Sequence, residues 1–133
     1  MLKAGDSAQA EFVVQPSDTA KQLAISPEDD FPEVFATSRM IALMELAAAR
    51  AMRPSLDVGQ LSVGVTINVR HNAATPVGCK VRAEATFEGM EGKLYRFKVT
   101  AFDDAGSIGE GEHLRAVIAT ERLLQGAERR RPG

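Results

Sequence analysis

The sequence predicts an α+β domain in which an antiparallel sheet wraps around one long buried helix. Three observations carry that prediction. The stretch from Met40 to Ala49 is apolar on every side except at Glu45, the pattern of a helix sunk in a core. Three later segments alternate apolar and polar residues with a period of two. The connections between them are of hairpin length, whereas parallel strands would need long crossovers.

The elements follow in order. Ala10, Phe12 and Val14 alternate with Glu11, Val13 and Gln15, an imperfect strand that Pro16 ends. Residues 26–32 read as an acidic, proline-punctuated loop. Thr37 or Ser38 is placed to cap a helix that runs to about Met52 and stops at Pro54. Val63, Val65, Ile67 and Val69 then define the apolar face of a strand, and Thr75–Gly78 turns the chain. Cys79, Val81, Ala83, Ala85 and Phe87 form the next apolar face, and Gly89–Gly92 reads as its hairpin loop. Tyr95, Phe97, Val99 and Ala101 form another, followed by a turn at Asp103–Gly106. A last strand spans roughly Ser107 to Arg122, and residues from about 124 to 133 read as a flexible tail. One sheet cannot cover every side of an apolar helix, so the pattern also predicts a homodimer.

At 133 residues the chain fits one domain, residues 1–133, large enough for a core without disulfides or metals. Its reactive inventory is short: two His, one Cys, one Tyr and no Trp. A lone Cys makes no internal disulfide and no cysteine-rich zinc site, and two distant His do not make a three-His site, so no metal is expected. A net charge of −2 gives no basic surface for nucleic acid. No apolar leader follows Lys3, and no run approaches the roughly 20 residues that span a bilayer. No membrane partner is therefore expected, and the reading is a cytoplasmic protein.

Few residues stand out as chemistry. Glu45 is the one charge within the apolar helix; buried, it would be raised toward the range of a general base, the plainer alternative being a carboxylate at the helix edge. Thr37 stands at the same helix's N-terminus, where capping is its commoner role and where free N–H groups can also meet a carbonyl. Along a regular helix the two lie about 12 Å apart, too far for direct hydrogen bonding. His71 falls in phase with Val65, Ile67 and Val69, an unusual core-facing imidazole suited to acid–base work or to simple packing. His113 and Arg115 share one strand face; Arg115 reads either as a surface salt bridge or as a ligand for an anion. Gly64 in mid-strand marks a bulge or a close approach. Cys79 reads as a packed thiol. No phosphate loop, His-Glu-x-x-His helix or Gly-x-Ser-x-Gly elbow is present.

Three stretches share a resemblance. FPEVFATSRMIALMELAAARAM (31–52), SVGVTINVRHNAATPVG (62–78) and GEGEHLRAVI (109–118) resemble, in order and spacing, the fluoroacetyl-CoA thioesterase group of the hot-dog-fold superfamily. The resemblance extends from about Phe12 to Glu121. It implies a hot-dog fold working as a dimer. It implies hydrolysis of a short acyl-CoA, fluoroacetyl- or acetyl-like, to the free acid and coenzyme A. Thr37, Glu45 and His71 match the family's catalytic group, Gly64 its backbone contact near the thioester, and Arg115 a supporting or ligand-binding position. Phe31 matches one of two lid aromatics in the substrate site; the other position falls in Glu28-Asp29-Asp30, one residue shorter and without an aromatic.

The implied chemistry needs no cofactor, since coenzyme A is part of the substrate. The Gly64 N–H or the His71 imidazole would polarise the thioester carbonyl. Glu45 would act as base, and Thr37 would either orient a water or attack to form an acyl-enzyme. Two rival readings differ in class. A non-catalytic acyl-CoA-binding module would bind without releasing coenzyme A. An enoyl-CoA hydratase would need an Asp beside its His, and no such motif flanks His71.

Overall fold

The computed structural model describes residues 2–133. The chain forms β1 (Ser7–Val13), α1 (Thr37–Met52), β2 (Gln60–His71), β3 (Lys80–Glu91), β4 (Leu94–Asp103), β5 (Gly106–Ala119) and α2 (Thr120–Arg129). The five strands make one sheet in the order β1-β3-β4-β5-β2, and every neighbouring pair is antiparallel. This is the α+β architecture that the alternation predicts, with β1 and β2 as its two edges.

α1 lies on the concave face of the sheet. It buries Met40, Leu43, Met44, Ala47, Ala48, Ala51 and Met52 against Val81, Ala83, Ala85, Phe97, Val99 and Ala101. The alanines on both surfaces let helix and sheet approach closely, while the methionines fill the irregular gaps. Each fully buried Met, Leu or Phe contributes about 1.5–3 kcal/mol through area removed from water. Arg53, Pro54 and Ser55 close the helix in a 3-10 turn, as the position of Pro54 requires.

Several expectations are corrected. Ala36, not Thr37 or Ser38, holds the N-cap position, with extended backbone and no side-chain cap; Thr37 is the first helical residue. The helix is not buried all round: Leu46 is 41% exposed and Ala42 is exposed, because the sheet curls over one side only. β3 continues through Glu91, so the β3–β4 turn is Gly92-Lys93, with Gly92 at φ 62°. The final strand ends at Ala119, and Thr120–Arg129 fold as α2, where the pattern predicts a strand to about Arg122 and a loose end beyond.

β2 departs from a clean period of two. Gly64 pairs with Arg115 and Thr66 with Leu114, so Val65 is an extra, bulged residue, 50% exposed. The bulge moves the inward phase from Ser62 and Gly64 to Ile67, Val69 and His71.

Candidate active site

Two groups of polar side chains face α1. The first is Thr37 with His71. Thr37 Oγ1 lies 2.8 Å from His71 Nδ1, a hydrogen bond that joins the first turn of α1 to the last residue of β2. The Phe35 ring meets the imidazole edge-on, with centroids 6.4 Å apart. The helix register and the strand end thus fix the pair, and Phe35, 1% exposed, backs it. His71 Nε2 is buried and has no hydrogen-bond partner among the described residues. Burial pushes the His71 imidazole below its ordinary value, which keeps it neutral. An open cleft of about 280 Å³ adjoins the pair, lined by Ala20, Pro32, Val34, Phe35, Thr37 and His71–Ala74.

The second group gathers around Glu45, just over two helical turns beyond Thr37. Glu45 Oε1 lies 3.5 Å from Arg115 Nη1. Arg115 donates through Nε to Ser62 Oγ (3.0 Å), through Nη2 to the Ser62 carbonyl (2.9 Å) and through Nη1 to His113 Nε2 (3.1 Å). His113 Nδ1–H donates to the Thr66 carbonyl at 2.7 Å. Gly64 sits against this group: a Cβ there would overlap the Glu45 carboxylate oxygen and lie 3.1 Å from His113 Cε1. Close approach therefore explains this glycine, beside the bulge rather than in place of it. Burial lowers the Arg115 pKa, and Glu45 opposes that shift.

The two groups stay apart within one chain. α1 is regular from Thr37 to Met52, so Glu45 lies about 12 Å along the axis from Thr37. The structure joins Thr37 to His71, and Glu45 to Gly64 and Arg115. Arg115 is not a surface residue: it is 5% exposed. The Glu45 side chain is 41% exposed, so the burial invoked for it does not hold in the single chain. Phe31 is 43% exposed and does not line the cleft, although Pro32 beside it does. The loop before it folds on itself, with Asp29 accepting from the N–H groups of Ile25 and Ser26. Cys79 is a half-buried free thiol. Ser62 is the member that the sequence does not single out, and His113 stands out there only as a strand-face neighbour of Arg115, two residues away.

Comparisons with known proteins fit this geometry. The family described as FlK, fluoroacetyl-CoA-specific thioesterase, matches residues 14–121. A fluoroacetyl-CoA thioesterase from Streptantibioticus cattleyicolor is 44% identical over 124 residues, covering 92% of this chain and 89% of that protein. A solved structure of the fluoroacetyl-CoA thioesterase FlK superposes with a TM-score of 0.93 at 41% identity, covering 99% of both chains. A thioesterase-superfamily protein of Thermus thermophilus superposes at 0.86 with 28% identity, covering 97% of this chain and 93% of that one. The curled sheet around one helix is the hot-dog fold.

Proposed function

Since the chain belongs to the fluoroacetyl-CoA-specific thioesterase family, we propose that it hydrolyses a short-chain acyl-CoA, fluoroacetyl- or acetyl-like, to the free acid and coenzyme A. The observation that carries this reading is the hydrogen bond between Thr37 Oγ1 and His71 Nδ1, beside an open cleft, with His71 Nε2 buried and unpartnered. Point mutants of FlK have been solved with acetyl-CoA and with fluoroacetate and CoA, which supports a short acyl thioester as the substrate class.

The reaction follows from the groups present. A neutral His71 that accepts the Thr37 hydroxyl at Nδ1 carries its proton on Nε2, an idle donor for the thioester carbonyl oxygen. Charge that develops on that oxygen meets a preorganised N–H. Glu45 takes the proton of the attacking water, or that of the Thr37 hydroxyl to give an acyl-enzyme whose ester a water then hydrolyses to the free acid. Coenzyme A leaves as a thiolate, so the proposed reaction uses no metal and no cofactor.

Glu45 must reach the thioester although it sits about 12 Å from Thr37 in its own chain. A homodimer resolves this, with Glu45 of one protomer facing the Thr37–His71 pair of its partner. Two features support a dimer. β2 is an edge strand, with no neighbouring strand on its outer side among the described residues. Leu46 on α1, with Leu61 and Val65 on β2, is 41–52% exposed. No helix among the described residues is long and apolar enough to cross a membrane, and the cytoplasm is the proposed location.

The test is release of free coenzyme A, read with a thiol reagent, across acetyl-, fluoroacetyl-, hexanoyl- and phenylacetyl-CoA. Turnover of the two-carbon substrates supports the reading. Tight binding with no thiol release from any of them would refute it.

A further inference from the structure

The buried end of the Glu45 group holds an imidazole that the reaction so far does not use. His113 is 1% exposed, on β5 opposite Ile67 of β2 and Phe97 of β4. Its tautomer is dictated by its partners. A carbonyl only accepts, so Nδ1 carries the proton toward Thr66 at 2.7 Å. A guanidinium only donates, so Nε2 is the acceptor for Arg115 Nη1 at 3.1 Å. Burial above all holds His113 below the ordinary imidazole value; the Thr66 carbonyl and Glu45 oppose this, and Arg115 adds to it.

The consequence lies in where Arg115 is held. Ser62 fixes the guanidinium at Nε and Nη2, and His113 fixes Nη1. Nη1 also faces Glu45 Oε1, but at 3.5 Å, an ion pair wider than the 2.7–2.9 Å of a charge-assisted hydrogen bond. Without the acceptor at His113, Nη1 would have Glu45 as its nearest remaining partner and would close on it. A closed Arg–carboxylate pair favours the anion and weakens it as a base.

We propose that His113 is a positioning residue: as a neutral acceptor it holds Arg115 short of a closed pair with Glu45, and so preserves that carboxylate as a base. This rests on the assignment of Glu45 under the proposed function. Arg115 still orients Glu45 through the wider contact, and Gly64 leaves the space in which the carboxylate sits.

The test compares two substitutions that split the imidazole's roles. His113→Gln places an amide oxygen near the Nε2 position; His113→Asn keeps a donor near Nδ1 but offers Arg115 nothing. The full-length protein is assayed for acetyl-CoA and fluoroacetyl-CoA hydrolysis, with Glu45→Gln measured alongside and folding checked by thermal melts. A positioned general base contributes about 10²–10⁴-fold to rate, and a base tied into a closed ion pair loses part of that factor. His113→Asn is expected to lose about tenfold or more in kcat with KM within about twofold, and His113→Gln to stay within about threefold of the parent. A His113→Asn protein with the parent's kcat, or a His113→Gln protein that falls as far as His113→Asn, overturns the proposal. If His113→Asn does not fold, His113→Gln decides alone by the same threshold. Should Glu45→Gln keep full activity, the assignment of Glu45 fails instead; an inactive Glu45→Gln beside a fully active His113→Asn overturns this proposal alone.

Discussion

Gly64 and His71, seven residues apart on β2, both face α1. In a regular strand an odd separation puts two residues on opposite faces. The extra residue Val65 removes that conflict. Gly64 then meets Glu45 in the middle of the helix, and His71 meets Thr37 at its start. One bulge is what lets a single strand serve both polar groups.

Gly64 tolerates no side chain without cost to Glu45. A methyl there would overlap the Glu45 carboxylate oxygen and press on His113. Gly64→Ala is expected to lose at least about tenfold in kcat, the equivalent of about 1.4 kcal/mol in transition-state stabilisation. Steady-state kinetics check the loss. A circular-dichroism spectrum like the parent's separates it from unfolding.

Thr37 contributes a hydroxyl rather than a cap. The helix takes no side-chain cap at this end, so Thr37→Val, nearly isosteric, is expected to leave the melting temperature close to the parent's. It also removes the partner of His71 Nδ1, and kcat is expected to fall about a hundredfold. Thr37→Ser keeps the hydroxyl and should retain most of the activity. Equal losses in both variants would contradict a role for the hydroxyl.

Stability is expected to fall on the acid side of pH 6.5. Burial lowers the pKa of both His71 and His113 from the ordinary 6.5. Below that value the unfolded chain takes up protons that the folded chain excludes. Folding stability is therefore complete above about pH 6.5 and is lost as the pH falls through the lowered values. Thermal melts at pH 8 and pH 5.5, at fixed ionic strength, should show the drop. The drop should be smaller for His113→Gln.

The exposed apolar residues of α1 and β2 should be covered in solution. Light scattering at micromolar concentration is expected to give about twice the 14.3 kDa chain mass. A charge at Val65, as in Val65→Lys, is expected to shift the protein toward monomer and to lower activity with it. An active monomer would remove the need for Glu45 to come from a partner.

Much of this was legible in the sequence. Period-two alternation located β3 and β4, because one face of each strand packs on α1 and the other meets water. The run from Met40 to Ala49 located the helix, since few surfaces tolerate so many apolar residues. Thr37, His71, Glu45 and Arg115 stood out as polar groups on apolar elements, and the structure places each beside a polar partner. The Val65 bulge was not legible, because alternation of Val63, Val65, Ile67 and Val69 looks regular while the register shifts beneath it. α2 was missed because its apolar residues, Leu123 and Leu124, lie exposed at the chain end and resemble those of a strand or a tail. His113 was underrated because its importance lies in the partners of both ring nitrogens, which only the folded strands bring within reach.

The most direct test of the account is the coenzyme A released per second from saturating acetyl-CoA or fluoroacetyl-CoA by the parent and by His71→Ala. With the Nε2 donor gone, kcat is expected to fall by about a hundredfold or more while the protein still folds. A His71→Ala protein that releases coenzyme A at the parent's rate would contradict the central claim.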